Sequence, residues 1–225
     1  MLKDEIVIHI HDDQRIEVEI IEDGIATAKN ISLESLLQAL GAYEKESAAQ
    51  HSGLLPPGCV SLTLPYLSQQ SRYLVMEYAA SYLDYTYMEQ VYKHFPLPRL
   101  LFKFEINHIG RIEEIHLGAA AMGNLTEDAP MYRWPLSNVH TDQTVCLGNN
   151  PLPLITSLKQ LQSVPSYVLS LPCNDDLFQS GNNRLGLKHQ DLLELLKDKD
   201  PDFYYDRILV PDKTTLKDFI GGDIS

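Results

Sequence analysis

Cysteine is scarce in this chain of 225 residues, and the chain has neither a long apolar run nor a basic cluster. The three cysteines are odd in number and irregularly spaced, so they do not predict a disulfide framework, and none has the spacing of a zinc ligand. No apolar run approaches the length of a membrane span, and residues 1–5 lack the apolar core of a signal peptide. The cytoplasm is therefore the expected compartment.

Basic residues are also few, since 18 Lys and Arg stand against 31 Asp and Glu, which gives a formal charge of −13. Binding to phosphates needs clustered Lys and Arg, so we expect neither a nucleic-acid partner nor a membrane surface. The hydrophobic fraction of 44% is usual for a globular protein, and the length allows one generous domain or two small ones.

The first 60 residues predict a small α+β unit. Residues 6–10 and 16–21 have the pattern of strands, joined by a turn at Asp12-Asp13-Gln14. Ser32 is placed as the N-cap of a short helix that Gly41 is expected to close. Residues 43–60 are polar and then rich in proline and glycine, which is typical of a loop or linker. We therefore predict an N-terminal extension over 1–60 and a second domain over 61–225.

The second part also mixes strands and helices. The tyrosine-rich stretch 72–95 does not distinguish between helix and strand. The other predictions are a hairpin over 100–117 with Gly110 in its turn, a helix over 154–171 that Pro165 kinks or ends, a helix around 187–196, an edge strand at 207–211 and a helical turn at 215–220. The chain as a whole is expected to be α+β.

One segment, residues 134–150, carries a chemically distinctive pattern. A polar loop leads into a short apolar run of β type, and a lone cysteine, Cys146, follows before a Gly/Asn turn. Such a setting would anchor the backbone and leave the sulfur at the surface, where a thiolate can react. Asn138 stands eight residues upstream and would donate its amide to an oxyanion or brace the loop. Loss of a comparable donor costs about two to three powers of ten in rate.

This segment resembles the active-site block of E2 ubiquitin-conjugating enzymes. In that family an Asn-Val or Asn-Ile pair, an acidic turn and a Cys-Leu pair follow in the same order, as Asn138-Val139, Asp142 and Cys146-Leu147 do here.

The resemblance extends to the flanking segments. The hairpin over 100–117 is similar to the meander that precedes the active-site loop in the E2 fold, and the helix after Cys146 is similar to the crossover helix. Asn174-Asp175-Asp176-Leu177 stands where these enzymes carry an acidic loop. In overall layout the chain resembles prokaryotic E2 family D, which includes the PRTRC-system protein B sequences.

The resemblance implies a UBC-like antiparallel meander flanked by helices and preceded by an N-terminal α+β extension. It also implies that an E1-like enzyme transfers a ubiquitin-like protein to Cys146 as a thioester, which then passes to a lysine of a target protein. Asn138 would stabilise the oxyanion, and Asp176, or Asp175, would orient or deprotonate the lysine. No cofactor or metal is implied, because the E1 consumes the ATP. Members of the group are encoded beside a JAB-type isopeptidase, some of them in antiphage operons.

The chain also departs from the family pattern. The familiar His-Pro-Asn is Leu136-Ser137-Asn138 here, with the proline displaced to Pro135. The single tryptophan, Trp134, lies before the cysteine, whereas eukaryotic E2 enzymes carry one shortly after it.

Several alternatives remain open at this point. The chain could be a catalytically silent E2-like adaptor, Cys146 could be a buried hydrophobe, and His140 could pair with Cys146 in a peptidase. His9 and His11 share one face of a strand, but two histidines are half a metal site and no carboxylate is expected to complete it. Cys59 and Cys173 are expected to be structural, and Gly221-Gly222 is expected to follow a helix end rather than to be a modifier terminus.

Overall fold

A computed structural model describes residues 5–13, 15–22, 25–45, 52–65 and 70–221. The chain folds into two compact units, residues 1–51 and 52–225. Gln14 of the predicted turn and Gly222 lie outside the described residues. None of the helices in the described part of the chain is long and apolar enough to cross a membrane.

The first unit is a three-stranded antiparallel sheet with one helix. Its elements are β1 (Glu5–Ile10), β2 (Ile16–Glu22), β3 (Ile25–Ile31) and α1 (Leu33–Lys45). The two predicted strands are confirmed, and so is the helix cap, because the hydroxyl of Ser32 accepts a hydrogen bond of 3.1 Å from the backbone N–H of Ser35. The prediction that Gly41 ends the helix is wrong, since α1 continues for one more turn.

The second unit contains eight strands and three α-helices among its described residues. They are β4 (Cys59–Thr63), β5 (Arg72–Tyr78), β6 (Ser81–Tyr87), β7 (Gln90–Leu97), β8 (Leu100–Ile106), β9 (Ile112–Ala120), β10 (Pro130–Tyr132), α2 (Val164–Ser170), α3 (His189–Leu196), β11 (Pro211–Thr215) and α4 (Leu216–Gly221).

Six of these strands form one antiparallel sheet in the order β11-β10-β9-β8-β5-β4, so β8, β9 and β10 are a meander. The predicted hairpin over 100–117 is β8 and β9, and Gly110 in its turn has a φ of +87°, a conformation that glycine adopts without strain. The tyrosine-rich stretch forms β5 and the separate hairpin β6–β7. The observed class is therefore α+β with mostly antiparallel sheets, as predicted.

The two faces of the sheet bury different residues, because neighbouring side chains of a strand point to opposite faces. Leu74 and Met76 of β5 belong to the larger core, which also contains aromatic residues of β6–β7 and three buried leucines of α3. Val75 belongs to a smaller core, where it packs with residues of α4 such as Phe219. Helix α3 and the β6–β7 hairpin therefore share one face of the sheet, and α4 covers the other.

The helix predictions for the second unit are confirmed in part. Pro165 does break the helical stretch: a 3-10 helix covers Leu158–Ser163, and Pro165 lies in the first turn of α2, where a missing N–H leaves no intrahelical bond unmade. The edge strand predicted at 207–211 is wrong, because Tyr204–Ile208 is a turn of π-helix and the strand begins only at Pro211.

Candidate functional site

Cys146 and Asn138 are paired across a short hairpin. The backbone N–H of Cys146 donates to the carbonyl of Asn138 at 2.8 Å, and Val139 bridges Val145. Both valines are buried, whereas Asn138 and Cys146 are partly exposed. The alternation of the strand therefore puts the side chain of Cys146 on the outer face of the hairpin, and its backbone lies opposite that of Asn138.

The hairpin is fixed to the sheet at β9. The N–H of Val145 donates to the carbonyl of Ile115 at 2.8 Å, and the N–H of Leu117 donates to the carbonyl of Gln143 at 2.9 Å. These bonds occupy the part of the β9 edge that β10 does not reach, because β10 pairs only with Ala119 and Ala120. The cysteine is thus held by the main sheet.

The turn of the hairpin is the acidic turn of the sequence pattern. The N–H of Gln143 donates to the carbonyl of His140 at 3.0 Å, and the N–H of Thr144 donates to Oδ1 of Asp142 at 3.0 Å. That second bond lowers the pKa of Asp142. After the hairpin, the N–H of Asn150 donates to the carbonyl of Leu147 at 3.1 Å, which confirms the predicted turn behind the cysteine.

Asn138 links this hairpin to the loop after α2. Its backbone φ of +64° lies in the left-handed region, which asparagine tolerates better than most residues. Its Nδ2 donates a hydrogen bond of 3.1 Å to the carbonyl of Pro172. A side-chain amide has two N–H groups, so this bracing bond leaves one for another acceptor.

The loop that begins at Pro172 carries the predicted acidic residues. Asn174 and Asp176 close a small turn, since the N–H of Asp176 donates to Oδ1 of Asn174 at 2.9 Å and Nδ2 of Asn174 donates back to the carboxylate at 2.8 Å. Asp176 is exposed. The structure therefore brings the acidic loop next to Asn138 through Pro172, and Asn138 in turn pairs with Cys146.

Asp175 has a different environment from Asp176. Its carboxylate accepts a hydrogen bond from the hydroxyl of Tyr87 at 3.0 Å and lies 3.0 Å from Nδ1 of His189. Tyr87 and His189 are buried, while the Asp175 side chain is 57% exposed. Two buried groups thus fix a carboxylate that solvent can reach.

Burial determines the ionisation of this cluster. His189 stacks on Phe178 at 4.5 Å between ring centroids, and burial lowers its pKa despite the opposing effect of Asp175. Burial also raises the pKa of the Tyr87 hydroxyl. Sequence reasoning missed Tyr87 and His189 because they lie far from Asp175 along the chain and belong to β6 and α3.

The other two cysteines lack the setting of Cys146. Cys173 is buried and its thiol donates to the hydroxyl of Tyr85 at 3.0 Å, while burial raises its pKa to about 11. Cys59 begins β4, is partly buried and also has a raised pKa because of burial. A thiol with a raised pKa is a poor nucleophile, so neither competes with Cys146 as a reactive group.

The histidines singled out in the sequence have carboxylate neighbours or share a face with the cysteine. Nε2 of His9 lies 3.6 Å from Oε2 of Glu19 and Nε2 of His11 lies 3.7 Å from Oε2 of Glu17, so each histidine has one carboxylate neighbour. Even so, no group of three or more ligating side chains in the described part of the chain is placed to hold a metal ion. His140 is exposed and, two residues beyond Asn138, occupies the same face of the hairpin as Cys146.

Comparison of the chain with models of protein families, with curated proteins and with solved structures gives no match.

Proposed function

We propose that this chain is an E2-like conjugating enzyme that carries a ubiquitin-like protein as a thioester on Cys146. The observation that carries the proposal is the backbone pairing of a partly exposed Cys146 with a partly exposed Asn138 in a hairpin that is fixed to the main sheet. A sulfur buried among aliphatic side chains, or one far from the asparagine, would have excluded this chemistry. A bulky acyl donor can approach from the solvent side.

The fold is part of the same proposal. The meander β8-β9-β10 precedes the cysteine in the chain, and α2 and α3 follow it. We propose that this arrangement is UBC-like, with residues 1–60 as an N-terminal extension. The partners would be a ubiquitin-like protein, an E1-like activating enzyme and a target protein in the cytoplasm, with a JAB-type isopeptidase encoded nearby.

The first step would be a transfer between two sulfurs. The thiolate of Cys146 attacks the carbonyl carbon of the thioester that joins the modifier to the E1 cysteine. A new C–S bond forms, the carbonyl oxygen becomes an oxyanion, and the E1 cysteine leaves as a thiolate when the carbonyl re-forms. The second N–H of the Asn138 amide would stabilise that oxyanion while the first holds Pro172.

The second step would transfer the acyl group to nitrogen. A neutral lysine amine attacks the thioester, a C–N bond forms, and the C–S bond to Cys146 breaks to return its thiolate. The amine loses one proton, which a carboxylate of the loop after Pro172 would accept or pass to water. Asp176 lies exposed in that loop, and Asp175 is fixed by Tyr87 and His189.

A charging assay tests the proposal. The reagents are the cognate E1-like enzyme and ubiquitin-like protein, with ATP, and the readout is a non-reducing gel. We expect an adduct that a thiol reductant removes and that Cys146→Ala abolishes, whereas Cys59→Ala keeps it. Lack of an adduct with an E1 that charges itself would reject the enzyme and leave the adaptor.

One observation favours a second candidate, a cysteine peptidase. His140 shares the outer face of the hairpin with Cys146, and a histidine base beside a cysteine is the arrangement of such enzymes. This candidate requires that His140→Ala abolish peptide cleavage together with Cys146→Ala. Peptide cleavage that is indifferent to His140→Ala would exclude it.

A further inference from the structure

The three-stranded sheet of the first unit carries a row of isoleucines on one face. In β1 they stand at every second position, so they share a face: Ile6, Ile8 and Ile10. The strand register brings Ile20 of β2 and Ile25 of β3 to the same face. The opposite face carries the two histidine–glutamate contacts between β1 and β2. We call the five isoleucine side chains the isoleucine face.

The isoleucine face is open to solvent, since its five side chains are between 40% and 72% exposed. Helix α1 carries a second exposed apolar row, because Leu33, Leu37 and Leu40 lie on one stripe of the helix. Among the apolar residues described in this unit, only Ile16 and Leu36 are buried. The unit thus leaves in water the residues from which a domain usually builds its core.

A unit of this size needs support beyond its own core. Domains of fewer than about 70 residues usually depend on disulfides, a metal ion or association. The first unit comprises residues 1–51 and contains no cysteine. No group of ligating side chains in its described part is placed to hold a metal ion. Association with another apolar surface is the support that remains.

The second unit offers no matching surface among its described residues. None of its described strands or helices carries more than one exposed large apolar residue. Most of its exposed apolar side chains lie in turns and loops, as Met88, Ile109 and Leu185 do. In the described part of the chain, the surface that matches the isoleucine face is therefore the isoleucine face of another copy.

The shape and area of the isoleucine face also fit a second copy. Two sheets pack face to face about 10 Å apart, with the side chains of their inner faces interdigitated. The five isoleucines and the leucine row of α1 together approach the roughly 800 Å² that each partner contributes to a standard interface. Lys29 shares this face, but it lies on the edge strand β3, where a long side chain reaches water.

We propose that the first unit is a dimerisation module, in which the isoleucine faces of two copies pack against each other around a two-fold axis. The same patch is then used twice, as in most symmetric dimers. The face with the histidine–glutamate contacts stays in water. This proposal goes beyond the conjugation function and does not depend on Cys146.

Sedimentation equilibrium of the full chain at concentrations up to about 100 μM tests the proposal. We expect a species of twice the chain mass of 25.5 kDa, with a dissociation constant in the micromolar range or below. Ile8→Lys should raise that constant at least about a hundredfold, because the two-fold axis puts the lysine into the interface twice. The chain is acidic, so an added lysine lowers its net charge and self-repulsion does not explain such a loss. Val91→Lys, at an exposed aliphatic residue of β7, is the matched control and should dimerise normally.

A measurement on the wild type keeps the proposal falsifiable if Ile8→Lys fails to fold. Copies with ¹³C-labelled isoleucine methyl groups are mixed with unlabelled copies, and isotope-filtered NOE spectra should show contacts between the isoleucine faces of different copies. Cys146→Ala should dimerise as the wild type does, which separates this result from the fate of the conjugation proposal. A monomer at every concentration, a dimer that Ile8→Lys leaves intact, or filtered spectra without such contacts would overturn the proposal. A monomer that floats with phosphatidylcholine vesicles would assign the face to a lipid surface instead.

Discussion

Nδ1 of the buried His189 lies 3.0 Å from the carboxylate of the exposed Asp175, so a solvent-accessible carboxylate is held by an imidazole that water hardly reaches. Neutral histidine has one N–H, and this contact assigns it to Nδ1, because an ionised carboxylate needs a donor. The bond ties the loop after α2 to the first turn of α3. The position of the acidic loop therefore depends on the Nδ1–H of His189.

We predict a pH dependence of stability that originates in His189. Burial holds its pKa below the ordinary value of 6.5, so on acidification the unfolded chain takes up the proton before the folded protein does. The free energy of unfolding should therefore fall as the pH falls through 6.5 and level off below the folded pKa. Urea denaturation between pH 5 and 7.5 should show a smaller fall in His189→Gln, whereas His108→Gln, at an exposed histidine, should retain the wild-type slope.

Asp175→Asn and Asp176→Asn separate the two acidic residues of the loop. The amide oxygen of an asparagine at 175 can still accept from Tyr87 and His189, so the fold should survive. If a carboxylate receives the proton of the lysine, its loss should slow discharge of pre-charged enzyme onto free lysine about a hundredfold and leave charging intact. Discharge at the wild-type rate in both variants would remove either residue from that role.

Asn138→Ala and Asn138→Gly separate the amide of Asn138 from its backbone. Both remove the amide, and at a φ of +64° alanine carries a strain of about 1 kcal/mol that glycine does not. Charging should slow by about two to three powers of ten in both variants, while only the alanine variant also bears the backbone cost in a thermal melt. A glycine variant that charges normally would contradict the oxyanion role.

Alkylation under native conditions should rank the cysteines. With a pKa of about 11, roughly one Cys173 thiol in a thousand is ionised at pH 8, and the side chain is buried. Iodoacetamide should therefore modify Cys146 well before Cys173, as peptide mass spectrometry over time would show. Equal rates for the two would mean that Cys173 is not held as the structure describes.

Gly110→Ala and Gly123→Ala form a matched pair in the second unit. Both glycines have a positive φ, +87° and +84°, so both variants share a backbone cost of about 1 kcal/mol. A Cβ at Gly110 would overlap with the carbonyl oxygen of Ile155, whereas one at Gly123 meets nothing within 4 Å. Gly110→Ala should therefore lose at least about 1 kcal/mol more in chemical denaturation. An equal loss in both would show that the 155 segment moves freely.

Local patterns predict those parts of the fold that local chemistry controls. The β8–β9 hairpin follows from alternating residues and from Gly110, and the start of α1 follows from the Ser32 cap. The sequence pattern does not predict β3, because the side chains of its Ala-Thr-Ala-Lys-Asn core are small and polar. The strand forms through its pairing with β2, which the local pattern does not contain. The stretch that forms β5 lacks the alternation of apolar and polar residues that indicates a strand, because Leu74, Val75 and Met76 are all buried, on alternate faces of the sheet.

The candidate site, too, can be predicted only where its residues lie close together in the sequence. Cys146 and Asn138 are near neighbours in sequence, so a short pattern is sufficient to single them out. The hydrogen-bond partners of Asp175 lie on β6 and α3, and Gln143 bonds to Asp212, which is 69 residues away in the sequence. Only the folded chain brings these groups together. The predictions for the end of α1 and for an edge strand at 207–211 are wrong because helix length and sheet register depend on packing as well as on local propensity.

The attachment of the Cys146 hairpin to the edge of β9 has a mechanical consequence. To swing outward, the hairpin would have to break its bonds to Ile115 and Leu117 and leave a bare strand edge in the middle of the protein. Cys146 is consequently held in place, and in the proposed reaction the acyl donor must bring its carbonyl carbon to the sulfur. Amide exchange at Val145 and Leu117 should be as slow as that of the sheet itself.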